Sequence, residues 1–199
     1  SAPSFPHGGI DPIKEISNIV EIYNRNHNNK IGFHLDSCLG GFIIPFSDIL
    51  NKTDSGCNFN TKGITSISVD THKYGYGPKG GSVLLYNDPF LFKKHCFVKP
   101  DWTGGIYGTS NLMGSRSGAV IASTWAVMMG SGLNWYAKEA KRIQNMVLKL
   151  KEGISNISNI EVMGKPEVCI VGIGSSYFKE MLKKFEGSYI LSLAAYNAG

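Results

Sequence analysis

The chain has 199 residues, 42% of them hydrophobic, and a formal net charge of +5. That composition suits a folded domain and excludes a wholly disordered chain. The basic stretches Lys138 to Lys151 and Lys179 to Lys184 carry acids among their lysines, so they read as solvated helix faces; a nucleic-acid footprint is not expected.

In chain order, Ser1 to Gly9 is a loop rich in Pro and Gly. Asp11 is placed to cap a helix with Pro12 in its first turn, and Ile13, Ile16, Ile19, Val20 and Tyr23 recur at helical spacing. Ile31 to Asp36 follow as a short strand, with His34 and Asp36 on one face. Gly40 to Pro45 reads as a turn and short apolar run, and Asn51 to Lys62 as an exposed polar loop. Ile64 to Val69 is a covered strand that runs on to Lys73, and Tyr74 to Gly81 holds four glycines and a proline, which take the chain out of the sheet. Ser82 to Tyr86 returns too soon for a parallel crossover, so that pair is expected to be antiparallel and the sheet mixed.

Pro89 to His95 reads as a short helix, and Cys96 to Met113 as a glycine-rich loop. Arg116 to Met129 and Leu133 to Ile154 are two helices split by Gly130-Ser131-Gly132. Ile160 to Met163 and Val168 to Ile173 are expected strands, and Tyr177 to Phe185 a helix. The four cysteines, Cys38, Cys57, Cys96 and Cys169, follow no Cys-x-x-Cys spacing, so zinc and a disulfide framework are not expected and reduced thiols are. His7, His34 and Cys57 have no metal-ligand spacing either. No apolar run reaches the ~18 residues of a membrane span.

Lys73 carries the chemistry. A lysine between apolar core and solvent has its charged form disfavoured by burial, which lowers its pKa and makes a nucleophilic amine; the plainer reading is a strand-end lysine reaching to water. Gly75-Tyr76-Gly77-Pro78-Lys79-Gly80 fits G-x-G-x-x-G, but a strand follows it rather than a helix, so it is no dinucleotide fingerprint. It is no Walker loop either, because Gly80-Gly81 follow Lys79.

Three pieces in order, Phe33-His34-Leu35-Asp36-Ser37-Cys38-Leu39-Gly40-Gly41, Asp70-Thr71-His72-Lys73-Tyr74-Gly75-Tyr76-Gly77-Pro78-Lys79-Gly80 and Trp102-Thr103-Gly104-Gly105-Ile106-Tyr107-Gly108 with Gly114-Ser115-Arg116, resemble the pyridoxal-phosphate-dependent group II decarboxylase superfamily. Within it the chain is similar, over nearly its whole length, to the lyases that split phosphorylated long-chain bases. The resemblance implies an α/β fold: a mixed, mostly parallel sheet flanked by helices, the aminotransferase-type (fold type I) large domain. Residues 1–155 would be the C-terminal part of that domain and 156–199 the beginning of a small C-terminal α/β domain.

It implies pyridoxal 5'-phosphate as cofactor, with Lys73 as the amine that condenses with its aldehyde and Asp36 as the partner of its pyridine nitrogen. Cys38 would lie against the ring, His72 would border it and move protons, and Gly105 would offer a backbone amide. Lys79, Tyr107 and Arg116 would hold the anionic end of the substrate, the loop around Tyr107 reaching the active site of a partner subunit in a homodimer. The implied reaction is carbon–carbon cleavage of a phosphorylated long-chain base to a long-chain aldehyde and phosphoethanolamine. An amino-acid decarboxylase of glutamate or aromatic type, or an inactive truncated homologue, is the alternative. The opening Ser1-Ala2-Pro3-Ser4-Phe5-Pro6-His7-Gly8 matches a motif that this family carries in mid-protein. The chain is therefore expected to be part of a longer protein, whose upstream segment would anchor it to the endoplasmic-reticulum membrane.

Overall fold

The computed structural model describes residues 1–197. Two compact units divide the chain: Ser1–Ala2 with Asp11–Ala140, and Pro3–Ile10 with Lys141–Gly199. In the first unit the elements are α1 (Ile13–Asn26), β1 (Phe33–Asp36), α2 (Ile44–Asn51), β2 (Ile64–Val69), β3 (Val83–Tyr86), α3 (Pro89–His95), β4 (Phe97–Lys99), β5 (Tyr107–Thr109) and the start of α4 (Gly118–Ser155). Among the described residues no helix is long and apolar enough to cross a membrane.

In α1, Ile13, Ser17 and Val20 are buried, a helical repeat that turns one stripe to the core. Asp11 does not cap it: its carboxylate pairs with the terminal amine of Ser1, and Pro12 occupies the cap without a side-chain bond. The helix α2 starts inside the expected apolar run and takes in residues 46–50, for which no element was expected. Pro45 sits in its first turn, where a missing N–H costs nothing, and Ser47 Oγ donates to Ile43 O at 3.0 Å. The pair β4 and β5 is an antiparallel hairpin inside the expected loop, with strands of three residues each, too short for alternation to show. The predicted break in α4 is present: Gly132 has φ 70° and ψ 171°.

The central sheet is three-stranded, in the order β1-β2-β3. β1 and β2 run parallel, with Asp36 beside Ser68, and β2 and β3 run antiparallel, with Val69 beside Val83. The sheet is mixed, as expected. Its two faces differ in kind. Leu35 and Ile67, side by side, are buried with Ile43 and Ile44 of the α2 start. His34 and Asp36, aligned with Ser66 and Ser68, share the other face. Period-two alternation thus separates a core face from a polar one on the same two strands. Both parallel strands end on one side, where open α/β sheets bind ligands.

The turn after β2 is stitched by Lys73 N to Asp70 O (3.2 Å), Tyr76 N to Lys73 O (3.1 Å) and Gly77 N to Thr71 O (2.8 Å). Tyr136 Oη donates to Gly75 O at 2.8 Å from inside the core. A Cβ on Gly75 would stand 2.6 Å from Thr71 O and 2.8 Å from Phe42 Cε2. Gly75→Ala is therefore expected to cost about 1–3 kcal/mol, read as a lower urea midpoint with an unchanged slope.

The second unit holds β6 (Ile160–Met163) antiparallel to β7 (Gly172–Ser175), then α5 (Ser176–Lys184) and α6 (Tyr189–Asn197). Ser175 caps α5, its Oγ accepting from Phe178 N at 3.3 Å. β7 starts later than the expected strand, because Val168 is buried outside the ladder. The helix α6 was not anticipated; its run of apolar residues has no polar stripe to mark a period.

Candidate active site

Lys73 is not on a strand. β2 ends at Val69, and the lysine stands in the turn beyond it. Asp36 is the last residue of β1, and Cys38 lies two residues on. Parallel pairing of β1 with β2 therefore delivers all three to the carboxyl ends of neighbouring strands. Cys38 is electrostatically coupled to both the Asp36 carboxylate and the Lys73 amine, which makes the three one cluster.

The Asp36 carboxylate accepts Cys38 N–H at 2.9 Å and Ser68 Oγ–H at 3.3 Å, both on Oδ1. Burial pushes its pKa up, but these donors and the nearby His34 together outweigh that and hold it below the ordinary value. The carboxylate is thus ionised and acceptor-only at neutral pH. Cys38 is shifted the other way, chiefly by burial, and stays a thiol.

For Lys73 the balance reverses the sequence expectation. Burial does push its pKa down, but the hydrogen bond to Asp70, at 2.9 Å, and that to Cys38 raise it, and the net shift is upward. Asp70 also accepts Ser82 Oγ–H at 2.7 Å, and its own pKa is depressed despite burial. The Asp70 contribution to stability is present above its unfolded pKa and lost as pH falls through the depressed one. That of Lys73 is present below its unfolded pKa and lost as pH rises through the raised one. Both groups are partly exposed, so the pair contributes little energy; its effect is on protonation. Asp70→Asn leaves burial as the larger influence on Lys73. Aldehyde labelling of Lys73 followed over pH is then expected to shift to lower pH.

His72 is fixed by a different bond. Its Nδ1 lies 2.6 Å from Gly81 O, and a carbonyl only accepts, so Nδ1 carries the proton. In the neutral ring Nε2 then bears the lone pair, 3.9 Å from Asp70 Oδ2. Asp70 is thus nearer to Lys73 than to the imidazole. Lys79 is exposed in the glycine-rich turn. Gly105, at φ 105°, donates its N–H to Trp102 O at 3.0 Å in the β4–β5 loop. Tyr107 packs its ring near Trp102 and Phe97 in the same hairpin, and Arg116 is exposed ahead of α4. The interactions of Gly105 and Tyr107 stay within the hairpin, whereas Asp36, Cys38, Lys73 and His72 gather around one turn.

Ser66, Ser68 and Ser82 escaped the sequence reading. For Ser66 and Ser68 the signal was the Ser-x-Ser spacing on β2, matching His34-x-Asp36 on β1. It shows only once the register is known.

No family model matches the chain. It is 44% identical to sphingosine-1-phosphate lyase 1 of Rattus norvegicus over 179 residues, which are 89% of this chain and 30% of that protein. The solved sphingosine-1-phosphate lyase of Burkholderia pseudomallei superposes with a TM-score of 0.79 at 36% identity, over 92% of this chain and 42% of that one. The chain matches a segment of the sphingosine-1-phosphate lyases. A glutamate decarboxylase of Lactobacillus brevis, 19% identical, superposes with a TM-score of 0.71 over 90% of this chain and 42% of that one, which shows a shared fold. The fold is that of the fold type I enzymes. The chain spans about 30% of the length of the curated lyases it matches.

The residues present fit the cofactor of such a lyase. An ionised carboxylate, a primary amine and a small thiol between them suit a protonated ring nitrogen, an aldehyde and a flat ring.

Proposed function

We propose that this chain carries the lysine-bearing part of a pyridoxal-phosphate-dependent carbon–carbon lyase acting on a phosphorylated long-chain base. The cluster of Asp36, Cys38 and Lys73 at the ends of two parallel strands carries the reading. Pyridoxal phosphate, when bound, supplies an electron-poor ring that accepts the electron pair of the breaking bond. Lys73 would hold it through the amine, Asp36 through the ring nitrogen and Cys38 against the ring face, with Gly105 a backbone donor.

The residues then have distinct tasks. Asp36, kept ionised by its donors, would favour a proton on the ring nitrogen of the bound cofactor. Lys73 must shed the proton that Asp70 favours before its amine can react, and Nε2 of His72, on the far side of Asp70 Oδ2, would be a lone pair able to take one. Lys79, Tyr107 and Arg116 would neutralise and orient the substrate phosphate. The exposed hairpin that carries Tyr107 suits a homodimer with shared active sites. An endoplasmic-reticulum location belongs to the same reading and rests on the family resemblance alone.

The test compares turnover of a phosphorylated long-chain base with that of glutamate and an aromatic amino acid. Release of long-chain aldehyde and phosphoethanolamine from the first is the expected result. Decarboxylation of either amino acid in its place overturns the reading. So does failure to react with any of the three when pyridoxal phosphate is bound.

A further inference from the structure

His34 is left unused by the chemistry above, although it stands two residues before Asp36 on the same face of β1. Its ring lies between two hydroxyls of β2. Nδ1 is 2.8 Å from Ser66 Oγ, and Nε2 is 3.1 Å from Ser68 Oγ. Ser68 Oγ in turn is 3.3 Å from Asp36 Oδ1. The parallel register sets this up, because His34 pairs with Ser66 and Asp36 with Ser68.

Counting protons fixes the direction of the chain. An ionised carboxylate only accepts, so the single hydroxyl proton of Ser68 goes to Asp36. The oxygen of Ser68 must then accept from His34, and Nε2 carries a proton. In the neutral ring Nδ1 accepts the hydroxyl of Ser66. Each donor thus points toward Asp36, and each bond polarises the next.

We propose that His34 is a positioning residue: acting through Ser68, it orients the Asp36 carboxylate and keeps it ionised for the cation that it faces. The part about that cation rests on the pyridoxal-phosphate reading; the ordering of Asp36 does not. The other groups facing Asp36 are the amide and thiol of Cys38 in the turn after β1, with Lys73 reaching the same thiol. The Cys38 amide remains in every variant below, and the titrations are run at high salt to screen the direct charge effect of His34 on Asp36, so any change reports the route through Ser68.

The experiment follows the Asp36 carboxyl by carbon-13 NMR through a pH titration of this chain, its signal assigned by loss in Asp36→Asn. Ser68→Ala and His34→Leu are each expected to move the midpoint upward toward the ordinary carboxylate value. The double variant is expected to move it no further than Ser68→Ala alone, since one route cannot be cut twice. A glutamine amide can reach the place of Nε2, whereas an asparagine amide reaches that of Nδ1. His34→Gln should therefore restore the midpoint and His34→Asn should not, a contrast between two polar residues that loss of folding does not mimic. Pyridoxal phosphate affinity should follow the same order, weakened about tenfold in Ser68→Ala.

An unmoved midpoint in His34→Leu, additive shifts in the double variant, or equal rescue by Gln and Asn overturns the proposal. Midpoints that shift as described in a chain with no affinity for pyridoxal phosphate would sink the cofactor reading and leave the role of His34 standing.

Discussion

Lys73→Ala is expected to abolish the borohydride-stable adduct of pyridoxal phosphate with this chain and to lower turnover by about three orders of magnitude or more. The wild-type adduct should be found by mass spectrometry on the peptide containing Lys73. Lys73→Arg is the sharper variant. It keeps a cation within reach of Asp70, so the local ion pair survives, yet a guanidinium stays protonated and cannot attack an aldehyde. A positive charge alone would restore function if Lys73 merely balanced Asp70. Labelling of another lysine in the wild type, or an undiminished adduct in Lys73→Arg, refutes the assignment.

Asp36→Asn should separate attachment from chemistry. The amine of Lys73 is intact in that variant, so the adduct still forms, while turnover falls about 100- to 1000-fold. An amide is neutral and no longer favours a proton on the ring nitrogen. It keeps one oxygen able to accept from Cys38 N–H, so the turn after β1 should persist and unfolding should change little. Full turnover in Asp36→Asn would mean that the carboxylate serves the turn and nothing else.

Much of this arrangement was readable in the sequence, for reasons that can be named. Ile64 to Val69 and the glycine-rich stretch after it are strong local signals, and the short return to Val83 left no topology but an antiparallel one. Gly132 marked the break in α4 because its backbone is left-handed there. What escaped depended on partners distant in sequence. The pKa of Lys73 follows from Asp70 folding back across a turn, and burial alone gave the wrong sign. Asp11 does not cap the helix it precedes, because Pro12 takes the cap position. The hairpin of β4 and β5 has strands too short to announce themselves. The polar face of β1 and β2 needs a register that no single strand encodes.

The amide that grips Oδ1 of Asp36 belongs to the main chain of position 38, and every amino acid except proline has one. Exchanging the side chain at that position keeps this bond and gives up the share of the thiol in holding the acid ionised. A designer can enlarge, shrink or repolarise the surface beside Asp36 there and keep the main-chain half of its anchor.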